Sequence, residues 1–292
     1  MLIAAAVVQA QDLEPRAYSN VPVGLNFAIA GYSYSEGDVA TDASVPLEDG
    51  EIDLHSALLA YARVFGLFGR SAKADVVVPY AWVSGSANFA GTPVSRRVDG
   101  LADPRLRLSY NFYGAPALSM EESADYEQDL IVGASVQVTA PLGQYDSDKL
   151  VNIGTNRWSI KPELGLSKEW WGTLTTELAG GVVFFTDNDD FFGGRRREQD
   201  PIYSVQTHLI YSFRRGIWGA LDATWYTGGE TTIDGARRDD RQENTRLGAT
   251  VAFPVNRYNS IKIHATTGLE TRTGGDFDTI GVAWQVRWGG GL

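Results

Sequence analysis

The chain has 292 residues, and its 25 basic and 36 acidic side chains give a net charge of -11. This negative charge argues against a nucleic-acid partner, because phosphate binding needs a basic face. The absence of cysteine excludes structural disulfides and thiolate metal sites. Beyond the N-terminus, the sequence has no apolar run of about 18 residues, the length a transmembrane helix requires. A transmembrane β-barrel remains compatible with this composition, because it alternates apolar and polar side chains.

The first ten residues, MLIAAAVVQA, resemble the second half of a secretory signal peptide and end in a small-residue cleavage pattern. A buried strand is the alternative, but the sequence becomes abruptly polar from Gln11 onward. We therefore expect residues 1–10 to be a signal remnant and residues 11–20 to be a periplasmic N-terminal segment. The mixture of Asp12, Glu14, Arg16 and Tyr18 suits entry into a polar lumen. Residues 21–292 are expected to form a single barrel domain.

From residue 21 onward, apolar side chains recur at every second position, which is typical of strands with one apolar face. In chain order we predict strands at 21–34, 52–65, 71–84, 103–113, 129–141, 157–169, 172–186, 202–213, 217–227, 244–255, 260–271 and 277–288. The pattern predicts an all-β protein, a closed antiparallel transmembrane β-barrel of about 12 strands. The side chains expected to face lipid in the last two strands are Ile261, Ile263, Ile280, Val282 and Val286.

The connections between the predicted strands alternate in length. The short ones are 66–70, 170–171, 214–216 and 256–259, and the long ones are 36–51, 85–100, 143–156, 187–200 and 228–243. Short periplasmic turns and long extracellular loops are typical of bacterial outer-membrane barrels, whereas a soluble β-sandwich needs no such alternation. An even strand count then places both termini on the periplasmic side. The connection 114–126 departs from the rule, because it is long on the short side.

Tryptophan positions favour the same interpretation, because most lie near strand ends rather than strand middles. Trp82, Trp158 and Trp225 are expected near the long loops, and Trp170, Trp171, Trp218 and Trp288 near the short turns. Two such aromatic girdles form where amphipathic rings settle at the lipid headgroups.

The polar faces of the strands would line the lumen, with both signs of charge mixed. The candidate pore-lining residues are Asp53, His55, Tyr61, Arg63, Lys73, Asp75, Arg105, Arg107, Lys161, Glu163, His208, Asp222, Arg246, Lys262, His264, Glu270 and Arg287. Tyr32 is a further inward aromatic candidate. Charges inside a barrel must be paired or hydrated, so we expect a narrow lumen partly closed by ion pairs. The alternative is that these charges only brace the interior.

An enzyme is not expected. A lipid hydrolase of this type needs serine and histidine side by side on the outer wall, whereas the pattern predicts that all three histidines face the lumen. His55 and Ser56 are consecutive, so their side chains point to opposite faces. We also expect no metal and no cofactor.

Two segments are distinctive. Residues 140–146 read APLGQYD, and residues 152–158 read NIGTNRW. Together with Gly100, Asp103 and the stretch 160–165, they resemble the signature of the outer-membrane family named for the meta-pathway of phenol degradation. Leu142 stands where threonine is common in that family. The resemblance implies a β-barrel transporter linked to uptake of aromatic or other hydrophobic compounds, but it implies no residue-level mechanism.

The signature itself suggests a folded loop. Gly143, Gly154, Asn152 and Asn156 suit positive φ angles and bonds from side chains to the backbone, and Arg157 with Trp158 would begin the next strand. Such a loop could fold inward and constrict the pore.

Three functions are compatible with the sequence. The first is an outer-membrane channel for passive uptake of small aromatic or hydrophobic molecules. The second is a plugged structural or interaction barrel whose loops bind lipopolysaccharide or a partner. The run Arg195-Arg196-Arg197 suggests this function, because arginine pairs well with lipid phosphates. The simpler interpretation is that Asp187, Asp189 and Asp190 of the same loop neutralise the run. The third and weakest is an outer-membrane lipid hydrolase.

Overall fold

A computed structural model describes residues 14–40, 47–89 and 92–292; the expected signal remnant at 1–10 lies outside the described residues. The described residues form the strands β1 (Leu25–Ala40), β2 (Leu47–Leu67), β3 (Arg70–Phe89), β4 (Thr92–Leu101), β5 (Arg105–Tyr113), β6 (Leu130–Thr139), β7 (Ser159–Trp170), β8 (Leu174–Phe185), β9 (Asn188–Phe191), β10 (Arg195–Gln199), β11 (Ile202–Arg214), β12 (Ile217–Gly228), β13 (Thr231–Ile233), β14 (Ala236–Arg237), β15 (Gln242–Pro254), β16 (Asn259–Thr271) and β17 (Gly274–Gly289). A single 3-10 turn in this part of the chain covers Glu122–Ala124. In the same part, no helix is long and apolar enough to cross a bilayer.

Twelve of these strands close into one antiparallel barrel. Their order is β1, β2, β3, β5, β6, β7, β8, β11, β12, β15, β16 and β17, and β17 pairs back with β1 from Leu25↔Gly289 to Ala40↔Gly274. The predicted barrel is therefore confirmed, and every predicted span overlaps one barrel strand. The sequence pattern missed β4, which extends β3 as a hairpin, and the small sheet of β9, β10, β13 and β14 between barrel strands.

Strand β7 shows why this barrel belongs in a membrane. Its buried face carries Lys161 and Glu163, whereas its exposed face carries Ile160, Leu164 and Leu166. Leu164 is 64% exposed and Glu163 only 8% exposed. A water-soluble fold would reverse these faces, because burying charge and exposing leucine both cost free energy in water. The outer surface is thus suited to lipid, as the alternation in the sequence predicts.

The two ends of the barrel differ. At one end, here called the turn end, the connections 68–69, 171–173, 215–216 and 255–258 are short. At the other, the loop end, 140–158, 186–201 and 229–241 are long, although 272–273 is only a two-residue turn.

The exceptional connection 114–129 is long at the turn end, as predicted, and it holds the N-terminal segment. The amide of Val23 donates to Leu118 O over 2.8 Å, and Asn20 Nδ2 donates to Pro116 O over 3.1 Å. The extra length at this end therefore supports the entry of the N-terminal segment into the barrel.

Candidate functional site in the barrel lumen

Glu163 is the centre of a polar wall formed by β5, β6 and β7. Lys161 Nζ lies 2.9 Å from Glu163 Oε2, and Arg107 Nη2 lies 3.1 Å from Glu163 Oε1. The register across β6 aligns Arg107 and Lys161 on opposite sides of Gln137, so all three charged groups share the inner face. The buried charges are paired in this way, as a low-dielectric site requires.

The N-terminal segment completes this wall from inside the lumen. Tyr18, only 1% exposed, donates its hydroxyl to Glu163 Oε1 over 2.9 Å. Arg107 Nη1 lies 2.5 Å from Glu14 Oε2, and the amide of Arg16 donates to Glu177 Oε2 over 2.8 Å. Residues 14–18 therefore occupy part of the lumen cross-section next to the charged wall.

A second buried polar group lies on β11, β12 and β15. His208 Nδ1 is 2.7 Å from Asp222 Oδ1, and Thr250 donates to Asp222 Oδ2 over 3.1 Å. On the neighbouring strand β8, the lumen-facing Glu177 accepts a hydrogen bond of 2.9 Å from Ser167 Oγ of β7. The predicted residues His208 and Asp222 thus form one hydrogen-bonded pair within the barrel.

The remaining inward predictions are placed by strand register and contacts. Those on the lumen face are Lys73, Asp75, Arg105, Arg246, Lys262, His264 and Arg287. Arg246 Nη2 donates to Phe277 O over 2.5 Å, and Arg287 Nε donates to Arg257 O in a turn over 2.9 Å. Arg246 and Arg287 therefore brace the wall and rim through backbone oxygens.

The expected inward orientation of Asp53, His55, Tyr61 and Arg63 is wrong. These residues are exposed on the outer face of β2, and Tyr32 of β1 is exposed beside them at 47%. The inner face of β2 instead carries apolar side chains, among them Ile52 and Val64. The rule that polar side chains face inward fails here because the lumen itself is apolar along this strand.

The outward polar residues of β2 lie at its two membrane interfaces. His55 Nδ1 is 2.6 Å from the Tyr32 hydroxyl, whereas Tyr61 packs 6.1 Å from the Trp288 ring in the aromatic girdle at the turn end. Ten residue steps separate Asp53 from Arg63, or roughly 33 Å of strand at ~3.3 Å per residue. Tilted by about 40°, this length matches an apolar band of about 25 Å. The lipid-facing middle of the strand is left to Ala57 and Leu59.

The inward orientation expected for Glu270 is also wrong. Glu270 is exposed and pairs with Thr245, on the outward face of β15. The register shifts between Thr245 and Arg246, where Arg246 aligns with Gly268. This bulge inserts one residue into β16 and turns Glu270 to the opposite face from the one that simple alternation predicts.

An apolar sector of the lumen wall was not predicted. The register aligns Gly31, Leu58 and Pro79 across β1, β2 and β3, and in the next row it aligns Ile29, Ala60 and Val77. Apart from Gly31, these side chains are half-buried on the inner face, and the sector adjoins the charged wall because β3 pairs with β5. The continuous apolar stretch 76–79 on β3 was the available signal, because a segment that is apolar at every position is apolar on its lumen side as well as on its lipid side.

The signature loop 140–158 folds over the loop end and packs inward. Asp103 accepts bonds from the amides of Gly143 (2.9 Å) and Thr155 (2.8 Å), and also from the Thr155 hydroxyl (2.6 Å). Ile153 is buried in a cluster with Val83 of β3 and with Phe277 of β17. This loop therefore narrows the loop end of the lumen along the apolar sector.

The expected roles of the signature residues are confirmed for the two asparagines but not for the two glycines. Asn156 has a φ of 53°, as predicted, but Gly143 and Gly154 are not among the residues with positive φ. A Cβ on Gly143 would lie 2.9 Å from Gly154 Cα, so these glycines permit a close approach of two backbones. Asn152 fixes the loop by donating to Asp146 O and Lys149 O, each over 2.9 Å.

The arginine run at 195–197 is divided among three environments. Arg196 is exposed and pairs with Asp187, Asp189 and Glu198. Arg195 donates to Phe192 O over 2.9 Å. Arg197 is buried, and it does not join the exposed group. The simpler expectation, neutralisation by acids of the same loop, is confirmed for Arg196.

A closed twelve-stranded barrel with an apolar outer surface and paired charges inside its lumen defines an integral outer-membrane β-barrel protein. The chain belongs to the family described as "Putative MetA-pathway of phenol degradation", whose model matches residues 32–286. This result confirms the resemblance seen in the signature segments.

Among solved structures, an outer membrane channel from Pseudomonas putida F1 is similar at 25% identity and a TM-score of 0.82, covering 95% of this chain and 100% of that one. The translocator domain of the autotransporter NalP from Neisseria meningitidis shares the fold at 10% identity and a TM-score of 0.54, covering 93% of this chain and 91% of that one. The transport unit of the autotransporter AIDA-I from Escherichia coli also shares the fold, at 10% identity and a TM-score of 0.53, covering 97% of this chain and 94% of that one. No curated protein sequence matched significantly.

Proposed function

We propose that this protein takes up small amphipathic molecules, aromatic ones in particular, by passive passage through its lumen. One observation carries the proposal: the lumen wall has an apolar sector on β1, β2 and residues 77–79 of β3, beside a charged sector on β5 to β7. A molecule with an aromatic ring and a polar group can satisfy both sectors at once, whereas a uniformly polar wall favours fully hydrated solutes.

The N-terminal segment is proposed to close this path. Glu14, Arg16 and Tyr18 contact three charged side chains of the lumen, which lie on β5, β8 and β7, so their release would widen the lumen without unfolding a strand. The barrel would therefore exist in closed and open forms that differ mainly in this segment. A pre-existing equilibrium of this kind responds to any ligand that binds the two forms with different affinity.

Reconstitution tests the proposal. Planar bilayers containing the full chain, or a chain that begins at residue 21, are compared in single-channel conductance and in blockage by benzyl alcohol and by glucose. We expect higher conductance without the segment, and blockage by benzyl alcohol but not by glucose. A folded barrel that never conducts in either form would instead support the alternative, a structural or interaction barrel.

No catalytic step is part of the proposal. The outward histidine, His55, bonds to the Tyr32 hydroxyl, whereas a hydrolase of this kind would require a serine in that position. The lipid bilayer is the surrounding partner, and contact of the loop end with lipopolysaccharide stays a prediction.

A further inference from the structure

Two arginines are buried close together beneath the loops at the loop end. Arg157 is 2% exposed and lies just before β7, and Arg197 is 4% exposed and lies on β10. Gln199, two residues after Arg197 on the same face of β10, accepts a hydrogen bond from Arg157 Nη2. The two guanidinium groups therefore share one small region between the signature loop and the small sheet of β9, β10, β13 and β14.

Neither guanidinium has the partners that burial demands. Nε and Nη1 of Arg157 and Nη1 of Arg197 are buried without a hydrogen-bond partner, and neither arginine forms an ion pair with a carboxylate within the described ranges. Burial, and then the neighbouring Arg197, lower the pKa of Arg157 well below its usual range, and burial lowers the pKa of Arg197 to about 10. An isolated pair of buried cations is costly, so an anion would stabilise this region strongly.

The nearest carboxylates are already engaged elsewhere. Asp103 holds the signature loop through Gly143 and Thr155, and Asp187 pairs with Arg196. Asp240 accepts bonds from the amide and the hydroxyl of Thr231, of 2.7 and 2.5 Å. These carboxylates make the local electrostatic potential less positive, but none of them contacts either buried guanidinium. The unpartnered N–H groups can therefore donate hydrogen bonds to an incoming anion.

Aromatic faces line the same region. The Arg157 guanidinium carbon lies 4.3 Å from the Phe185 ring centre, and that of Arg197 lies 5.5 Å from the Phe191 ring centre. Such stacking holds each guanidinium in place and leaves its edge to donate hydrogen bonds. Apolar rings beside two guanidinium edges are suited to a ligand that combines a ring with a negative charge.

We propose that the loop end carries a binding site for an aromatic monocarboxylate, with its carboxylate between Arg157 and Arg197 and its ring beside Phe185 and Phe191. This inference rests on the proposed function and narrows its substrate class. A carboxylate matches the guanidinium fork in bidentate geometry. A phosphate dianion fits less well, because Asp103, Asp187 and Asp240 lie nearby. A neutral phenol or alcohol leaves the buried charges unbalanced.

Calorimetric titration of the folded, detergent-solubilised full chain tests the site with benzoate, benzyl alcohol and inorganic phosphate. Benzoate should bind, and loss of a charge-assisted hydrogen bond should weaken it at least about tenfold in Arg157→Gln and in Arg197→Gln. Arg196→Gln is the matched control, because it removes the same charge from the exposed face of the same strand. Its affinity for benzoate should be unchanged.

Folding of each variant is checked by heat modifiability on gels, and Arg157→Lys, which keeps the charge, replaces Arg157→Gln if the latter fails to fold. Absence of benzoate binding in the wild type would overturn the inference, as would equal affinity for phosphate. Equal weakening in Arg196→Gln and Arg197→Gln would also overturn it, since a long-range charge effect would then explain binding. A barrel that conducts but binds no benzoate would leave the proposed function standing, so the two failures are distinguishable.

Discussion

The ring of Tyr18 packs directly over Gly165 on the lumen face of β7. A Cβ added to Gly165 would fall 2.0 Å from Tyr18 Cε2, and one added to Gly133 on β6 would fall 2.6 Å from Tyr18 Cδ1. Two glycines on adjacent strands thus form a recess for one aromatic ring. The N-terminal segment is held by this shape as well as by the hydrogen bond to Glu163.

Substitution of Gly165 by alanine should release the segment. Because the new methyl group would overlap the Tyr18 ring, we expect a higher open probability in planar bilayers than for the wild type. Gly180→Ala is the matched control, since its Cβ would meet nothing closer than Ser204 O at 3.9 Å. An unchanged open probability in Gly165→Ala would contradict the idea that Tyr18 closes the lumen.

Arginine at position 282 should impair assembly. Val282 is 45% exposed on the outer face of β17, and a cation near the lipid midplane costs about 2–4 kcal/mol. The folded fraction in urea titrations of protein in lipid vesicles measures the effect. Gln285→Arg places the same charge on the lumen face of the same strand and should fold nearly as well as the wild type.

Strand positions were predictable from the sequence because an alternating pattern depends only on local residue order. The face assignment of β2 was not predictable from its own pattern, since both of its faces carry apolar residues and the choice depends on what fills the lumen. The bulge that turns Glu270 outward likewise arises from pairing with β15.

The candidate site was harder to predict than the fold. Glu14, Arg107 and Glu163 are far apart in sequence, and only the closed barrel brings them together. The pair of Arg157 and Arg197 comes from two different loops, so no spacing within the chain could reveal it. In the sequence, Arg157 is distinctive only as part of the signature. Its burial next to Trp158, which is 51% exposed, is visible only in the structure.

Asp103 should determine how firmly the signature loop is held. Asp103→Ala removes three hydrogen bonds to a carboxylate, each worth on the order of 1.5–3 kcal/mol. We expect faster cleavage within 140–158 in limited proteolysis of the folded barrel. Asp148→Ala removes an exposed carboxylate from the same loop and should be cut at the wild-type rate. Equal cleavage rates in the two variants would show that the loop is held by its apolar contacts alone.

Charge reversal on β5 should change ion selectivity. Arg105 and Arg107 lie on the lumen face, and Arg107 pairs with both Glu14 and Glu163. Arg105→Glu plus Arg107→Glu therefore replaces two cations of β5 by anions, one of which repels Glu14 of the N-terminal segment. Reversal potentials in a salt gradient should move toward cation selectivity, and conductance should rise. Arg63→Glu makes the same kind of change on the outer face of β2 and should leave the reversal potential unchanged. A double variant that folds, conducts and keeps the wild-type reversal potential would mean that these arginines brace the barrel and do not face the conducting path.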